Sequence, residues 1–411
     1  MASPDATSLS ATFGIEPYAF YDQVRDRRPV DWDEELGAWV IYDYATNRTL
    51  LRKDIESMRM PEMDNLDLFV PITGAPRGVV YLTGEAQRRI HRWFVLSFNA
   101  PFVEGLRGDV VGPLVERVLK PLVSAGRADL AGDFAEQIPV RVAAASMDLP
   151  WQDDEWIMRA KNALRTVGVF FGRRLMLDDE IVDNAREASK TLNAMLLPFV
   201  EERRAGTGDD LISKLWREGP SLLDDWGPSD VLGQVRTTLL AGTDTTTHSI
   251  CNTLYMLALQ DDEVRRQLRD GGPQIQANFV EEALRLYGTV HFRVRHANED
   301  IRVGDSVIKK DDAVVPMLAA ANRDPERYAC PHALDLQRDR PRDHVAFNFG
   351  PRACAGQALA RTELQEVVRA MLDLAPNMRL DPQAPPPELV GFTNRSFQPL
   401  NVVFDPAPTA R

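Results

Sequence analysis

Ten residues carry the densest chemical signal in this 411-residue chain: Phe347-Asn348-Phe349-Gly350-Pro351-Arg352-Ala353-Cys354-Ala355-Gly356, or F-x-x-G-x-R-x-C-x-G. A cysteine stands between glycines, just after an arginine and just before a helix-like run from Gln357 to Ala370. Gly350 and Gly356 let the backbone turn tightly and pass close to a flat group. Backbone N–H groups at a helix start and nearby cations favour an ionised sulfur. The pattern suits a thiolate bound to haem iron: Cys354 is the metal ligand, Phe347 and the two glycines shape the loop, and Arg352 pairs with a haem propionate. The plainer alternative is a buried structural cysteine beside a glycine-rich turn.

A second set is Ala241-Gly242-Thr243-Asp244-Thr245-Thr246, inside a run that starts at Pro228-Ser229-Asp230 and reads as one helix to about Gln260. Some 30 helical residues span about 45 Å, enough to cross a whole domain. Small residues followed by an acid and a hydroxyl are unusual at a buried helix centre. Ala241 and Gly242 admit a flat group. The Thr245 hydroxyl can turn back to the Ala241 carbonyl and open a local bulge. Asp244 and Thr245 then stand to deliver protons. The alternative is an ordinary Thr-rich helix with a solvated acid.

Glu282 and Arg285 are three apart on a helical pattern and share a face. Alone, such a pair means little on a surface. Arg338, just upstream of the cysteine loop, makes it informative: a buried Glu282–Arg285–Arg338 cluster would pin that loop. Arg295 on a strand-like segment and Gln87, His91 and Arg92 on an early helix join Arg352 as candidate propionate partners.

The elements that must position these groups are mostly helical. Helical patterns cover 17–28, 84–98, 106–124, 129–147, 152–171, 179–205, 209–217 and 273–287, besides the long one. Strands are expected at 30–32, 38–42, around 300–317 and at 400–404. Residues 61–80, with Pro61, Pro71, Gly74, Pro76 and Gly78, read as a long irregular loop of a functional kind. The chain is mainly α (α+β) with a minor sheet, and with no visible linker it reads as one domain.

Composition narrows the function classes. With 48 basic and 61 acidic residues the net charge is −13, against general nucleic-acid or anionic-membrane binding. Three cysteines, Cys251, Cys330 and Cys354, are too few for a disulfide framework and fit a reducing cytosol. No secretory signal and no 18-residue apolar span is visible, so a cytoplasmic protein free of the membrane is expected.

The cysteine loop, the acid–alcohol helix, E-x-x-R, Ala321-Asn322-Arg323-Asp324-Pro325, the Arg27–Val30 stretch and the 126–150 segment occur in the order and spacing of the haem-thiolate monooxygenases. Over nearly its whole length the chain resembles that cytochrome P450 family, soluble bacterial type. The resemblance implies a helical prism over 1–411 with a minor β-rich region, and haem b between the long helix and the Cys354 loop. It implies a small-molecule substrate, O2 and electrons from an external acidic ferredoxin with its reductase. Docking would use Arg88, Arg89, Arg92, Arg338, Arg340, Arg342 and Arg352. The protein is expected to be a monomer. Pocket walls would come from the 61–82 loop, 166–171, Leu239, Leu240, Thr289, Val290, His291, Phe292, Thr393, Asn394 and Phe397, which suits a medium-sized hydrophobic or aromatic-bearing ligand. Natural-product tailoring is the preferred context. Oxidative C–C or C–N coupling, catabolic hydroxylation of a terpene or aromatic compound, and a non-catalytic haem-binding protein are the alternatives. Two departures stand out: Asn348 where bacterial members carry glycine, and Gln87/His91 where they carry His and Arg four apart.

Overall fold

The computed structural model describes residues 16–74, 77–172 and 177–404, together with Leu9 and Thr12. The chain runs α1 (Tyr18–Arg27), β1 (Val30–Asp33), β2 (Ala38–Ile41), α2 (Tyr44–Arg52), α3 (Asp54–Ser57), β3 (Met58–Arg59), α4 (Leu66–Thr73), α5 (Gly84–Ser97), α6 (Ala100–Leu106), α7 (Gly112–Ala125), β4 (Arg127–Asp129) and α8 (Pro139–Ala145). Then come α9 (Asp154–Gly172), α10 (Asp179–Glu202), α11 (Leu211–Glu218), α12 (Pro228–Ala258), α13 (Asp262–Asp270) and α14 (Gly272–Leu286). The last part holds β5 (Arg295–Ala297), β6 (Ile301–Val303), β7 (Ser306–Ile308), β8 (Ala313–Pro316), α15 (Leu318–Ala321), α16 (Gln357–Leu374), β9 (Arg379–Leu380), β10 (Glu388–Gly391), β11 (Arg395–Gln398) and β12 (Asn401–Val403).

The organising element is α12. Pro228 at its first turn has no N–H to leave unsatisfied, and the Asp230 carboxylate accepts the Gly227 N–H at 2.9 Å, which closes its N-terminus. It packs on α8, α9, α10, α14, α16 and β11, so it is surrounded for most of its length. The large apolar cluster around it runs from Phe69 to Phe404 in sequence. A five-stranded sheet, ordered β1-β2-β8-β5-β3, lies to one side, with only the β2–β8 pair parallel. A three-stranded sheet (β4-β12-β9) and two hairpins (β6–β7, β10–β11) complete the β content. Among the described residues no helix is long and apolar enough to cross a membrane.

Several expectations change in detail. The 61–80 segment is not irregular throughout: Pro61–Asp64 forms a 3-10 turn and α4 follows, started by Asn65, whose Oδ1 accepts the Leu68 N–H at 3.3 Å. Its Pro76 lies outside the described residues, as do most of the first fifteen. The helix expected over 106–124 is broken by a wide π turn at Arg107–Val111. The one expected over 129–147 splits before Pro139, which starts α8 because proline favours a first helical turn and breaks an interior. Helix α13 was not foreseen. It is capped by Asp261, whose carboxylate accepts the Val264 N–H.

Candidate active site

The loop before α16 is a tight backbone construction. Asn348 (φ 63°) and Gly350 (φ 74°) both take the left-handed region. A Cβ on Gly350 would lie 2.4 Å from the Leu51 carbonyl oxygen, so the end of α2 demands glycine there. Asn348 meets its own demand with an amide that donates to the Arg352 carbonyl at 3.1 Å. The Cys354 N–H donates to the Phe347 carbonyl at 2.8 Å and the Ala353 N–H to Gly350 at 3.0 Å. Cys354 thus sits two residues before the Gly356 N-cap of α16. Burial pushes its thiol pKa up, while the Gly356 N–H and the charges of Arg293 and Arg361 pull it down.

Cys354 is enclosed by protein on all sides, yet its side chain is exposed. The two descriptions agree if the sulfur lies in a recess walled by protein. Ala241 is likewise exposed, although it lies halfway along the surrounded α12. Among the described residues no group of three or more His, Cys, Asp or Glu side chains could hold a metal ion. A lone accessible thiol flanked in the chain by small residues (Ala353, Ala355, Gly356) fits a metal that brings its remaining ligands with it, as haem iron does.

Charge pins this loop from both sides. Arg285 reaches Glu282 with Nε at 2.7 Å and Nη2 at 2.8 Å, both side chains 0% exposed, and Arg338 Nε adds a bond at 2.8 Å. Arg285 also donates to the carbonyls of Asn322, Pro331 and Ala333. Burial raises the Glu282 carboxyl, but hydrogen bonds from Arg285 and Arg338 outweigh it, and the group titrates below the ordinary glutamate value. The expected three-residue cluster is present. A second one was missed: Glu281 accepts from His344 at 3.0 Å, before the loop, and from Arg361 at 2.7 Å, in α16. Two adjacent acids before Ala-Leu-Arg were its only sequence trace. Arg361 also lies over the Phe347 ring at 4.5 Å.

The candidate propionate partners behave differently from expectation. Gln87 donates to the Pro351 carbonyl at 2.8 Å and His91 Nε2 lies 2.7 Å from the Ala353 carbonyl, so both hold the loop backbone from α5. Arg295 forks onto Asp54 at 2.7 and 2.8 Å, with both side chains buried. Arg352 donates to the Val80 and Leu82 carbonyls, each at 3.0 Å, with Nε 3.7 Å from Asp54. Asp54 was not foreseen, since a lone acid in a one-turn helix carries no pattern. Of these arginines only Arg92 is exposed. The buried Arg352 Nε has no hydrogen-bond acceptor among the described residues and is the open donor of the set.

On α12, the Thr245 hydroxyl donates to the Ala241 carbonyl at 2.8 Å, as expected, but α12 stays α-helical with no bulge. Gly242 faces α8 instead of the void: a Cβ there would meet the Ala143 Cβ at 3.6 Å, an ordinary contact. Asp244 has a side chain 42% exposed, with His248 Nδ1 3.9 Å away. The pocket expectation fares unevenly. Leu240 and Asn394 are half-buried, but Leu239, Thr289, Val290, His291, Phe292, Thr393 and Phe397 are all buried. The reason is local pairing: the His291 N–H donates to Thr393 and the Arg395 N–H to Thr289, so the two segments zip together into a core with Val294 and Phe397. His291 is wedged between Tyr18 and Tyr21, and burial pushes its pKa well down.

A thiol just before a helix N-terminus, solvent-accessible yet walled by protein, together with an accessible Ala241 midway along the long α12, fits a haem-protein architecture. Residues 274–388 match the family model described as Cytochrome P450. Cytochrome P450 GfsF of Streptomyces halstedii is 31% identical over 303 residues, 71% of this chain and 68% of that protein. The mycinamicin IV hydroxylase/epoxidase of Micromonospora griseorubida is 27% identical over 386 residues, 92% and 93% of the two chains. The crystal structure of CalO2 superposes with a TM-score of 0.85 at 23% identity, covering 96% of this chain and 97% of that one. The chain belongs to the cytochrome P450 family and is a haem-dependent monooxygenase.

Proposed function

We propose that this P450 tailors a bacterial natural product by oxidising a medium-sized hydrophobic or aromatic-bearing molecule, with Cys354 as the residue that would bind the haem iron. The observation that supports the ligand assignment is the enclosed yet exposed sulfur beside the Gly356 N–H. The mycinamicin enzyme, named as a hydroxylase/epoxidase, supports the tailoring context.

Haem bound in this void supplies the activation of dioxygen, favoured by a thiolate ligand. The chain's own residues do the rest. Gly356 N–H and the Arg293 and Arg361 charges favour the anionic sulfur against burial. The Arg352 Nε and the exposed Arg92 would hold the anionic edge of the cofactor. The Thr245 hydroxyl, held on the Ala241 carbonyl, keeps an oxygen lone pair available for hydrogen bonding. Asp244, one residue before, carries protons from the solvent side.

Electrons come from an acidic ferredoxin. Arg338 and Arg352 are buried and drop out of the docking patch, which leaves Arg88, Arg89, Arg92, Arg340 and Arg342 exposed. Reduction by ferredoxin should slow steeply as salt rises. A rate indifferent to ionic strength would remove the patch from the proposal.

The deciding experiment is the absorption of the reduced, carbon monoxide-treated protein. A red-shifted Soret band in the wild type, lost in Cys354→Ser, is expected. Retention of that band in the variant would refute the ligand assignment. A ligand screen on the ferric Soret band then identifies the substrate class.

A further inference from the structure

The β10–β11 hairpin is registered on α12 with unusual care. Asn252 of α12 donates to the carbonyls of Tyr287 (2.7 Å) and Arg395 (3.0 Å), and its Oδ1 accepts the Phe397 N–H at 3.1 Å. Ser249, one turn earlier, bonds Thr289 at 2.9 Å, and Thr289 in turn accepts the Arg395 N–H at 2.8 Å. The turn itself is fixed by Gly391 (φ 103°), where a Cβ would lie 2.1 Å from the Asn394 carbonyl oxygen. Backbone bonds flank Asn394 on both sides, from His291 to Thr393 and from Arg395 to Thr289. Its side chain therefore has little freedom of aim. Its amide donates to the Asp244 carboxylate at 3.0 Å.

That bond is the one strong restraint on Asp244 among the described residues. His248 is too distant at 3.9 Å for a hydrogen bond, and among the described residues no Lys or Arg pairs with the carboxylate. Gly168 of α9 leaves room above it, since a Cβ there would still be 3.9 Å from Oδ1. A carboxylate 42% exposed would otherwise sample several rotamers. An amide donor orients a carboxylate without supplying a cation that stabilises only its ionised form. This is the partner a proton-carrying acid needs.

We propose that Asn394 is a positioning residue that holds the Asp244 carboxylate in register with Thr245. It deepens the monooxygenase reading, on which it rests. It also revises the sequence expectation, which gave Asn394 to the substrate wall alone.

The test reads the distal field without turnover, through the infrared C–O stretch of the reduced protein's carbon monoxide complex. Wild type, Asp244→Asn, Asn394→Leu, Asn394→Ala and the Asp244→Asn/Asn394→Leu double variant are compared. Each single change is expected to shift or broaden the band. The double variant should match Asp244→Asn alone, because Asn394 acts through that carboxylate. Unchanged bands in both Asn394 variants, or shifts that add independently to that of Asp244→Asn, would overturn the proposal. If Asn394→Leu does not fold, Asn394→Ala, smaller and lacking the donor, decides alone. A wild type with no Soret band would instead sink the haem-thiolate reading itself.

Discussion

The two sides of α12 are held by opposite kinds of chemistry. On the α14–α16 side, the Cys354 loop is bracketed by buried ion pairs: Glu282 with Arg285 and Arg338, Glu281 with Arg361 and His344. On the β10–β11 side, Asp244 and Thr245 are held by an amide and a backbone carbonyl, and Ser249 by a threonine hydroxyl. Even the cation buried between α12, α4 and α10 follows this rule. Arg236, 3% exposed, rests on neutral acceptors: the Ile72 carbonyl, Ser189 Oγ at 2.7 Å and Asn193 Oδ1 at 3.0 Å. Buried charge pairs are unforgiving of displacement, since separating them strands a charge in low dielectric. Neutral hydrogen bonds are worth only about 0.5–1.5 kcal/mol each and rearrange cheaply. On the proposed reading, the Cys354 ligand would have to stay put, whereas protons and substrate would have to move.

The sharpest way to break that contrast is on the charged side. Glu282→Gln leaves two guanidiniums buried without a counter-charge and should cost about 3–5 kcal/mol. That is a large part of a typical folding free energy of about 5–15 kcal/mol. Urea unfolding monitored by far-UV circular dichroism reads it, and a loss under about 1 kcal/mol would mean that the pairs are not what fixes the loop. Acid probes the same network without mutation. The folded Glu281 and Glu282 carboxyls titrate below their ordinary 4.5. Their contribution is therefore fully present above that pH and is lost as pH falls through the lower, folded values. Stability should drop on acidification from pH 5, and Glu282→Gln should flatten the drop.

Arg236 tests the softer side at an intermediate scale. Burial pulls its pKa down to about 10, so the charge is held at a cost. Arg236→Met removes that cost but leaves the Ile72 carbonyl and Ser189 short of a donor. The expected net loss is about 1–3 kcal/mol, below that of Glu282→Gln. The loss should appear locally, as faster amide hydrogen exchange in α4 and α10 with α16 unaffected. Exchange rising equally in α16 would show that the two sides are mechanically one.

Thr245→Ala should barely touch stability, since it removes one hydrogen bond to its own helix, within about 1 kcal/mol. Its effect falls on chemistry. The share of NADPH electrons recovered in product should fall on the order of tenfold, with the balance appearing as hydrogen peroxide. That is less than the 10²–10⁴ of a sole acid catalyst, because Asp244 remains. Unchanged coupling would take Thr245 out of the mechanism.

What the sequence made legible follows the same division. On the charged side, Glu282 and Arg285 share a helix face and Asn348 through Cys354 close on themselves, so both were readable, whereas the Glu281 contacts with His344 and Arg361, 63 and 80 positions away, were not. The α12 motif and its Thr245 bond were readable for the same reason. What escaped is long-range. Asp54 and Arg295 are 241 positions apart, and Asn394 and Asp244 are 150 apart. Periodicity says nothing about such pairs. The pairing that buries the expected pocket walls was equally invisible: Thr289–Phe292 and Thr393–Phe397 join side by side, and most of their side chains are buried.

The smallest predicted effect is at Asn348, and it asks whether the loop is shaped by its own backbone or by the charges around it. Asn348 sits at φ 63°, a region that glycine enters without strain and alanine does not. Asn348→Gly loses the amide bond to the Arg352 carbonyl and gains unfolded-state entropy, but keeps the turn. The cost should stay within about 1 kcal/mol. Asn348→Ala loses the same bond and adds left-handed strain, for about 2 kcal/mol in all. If charge sets the loop, both variants should keep the red-shifted carbon monoxide band, and thermal melts alone should separate them. If Asn348→Ala loses that band while remaining folded, the turn shapes the thiolate site in its own right, and Glu281 and Glu282 only hold a loop that its backbone has already formed.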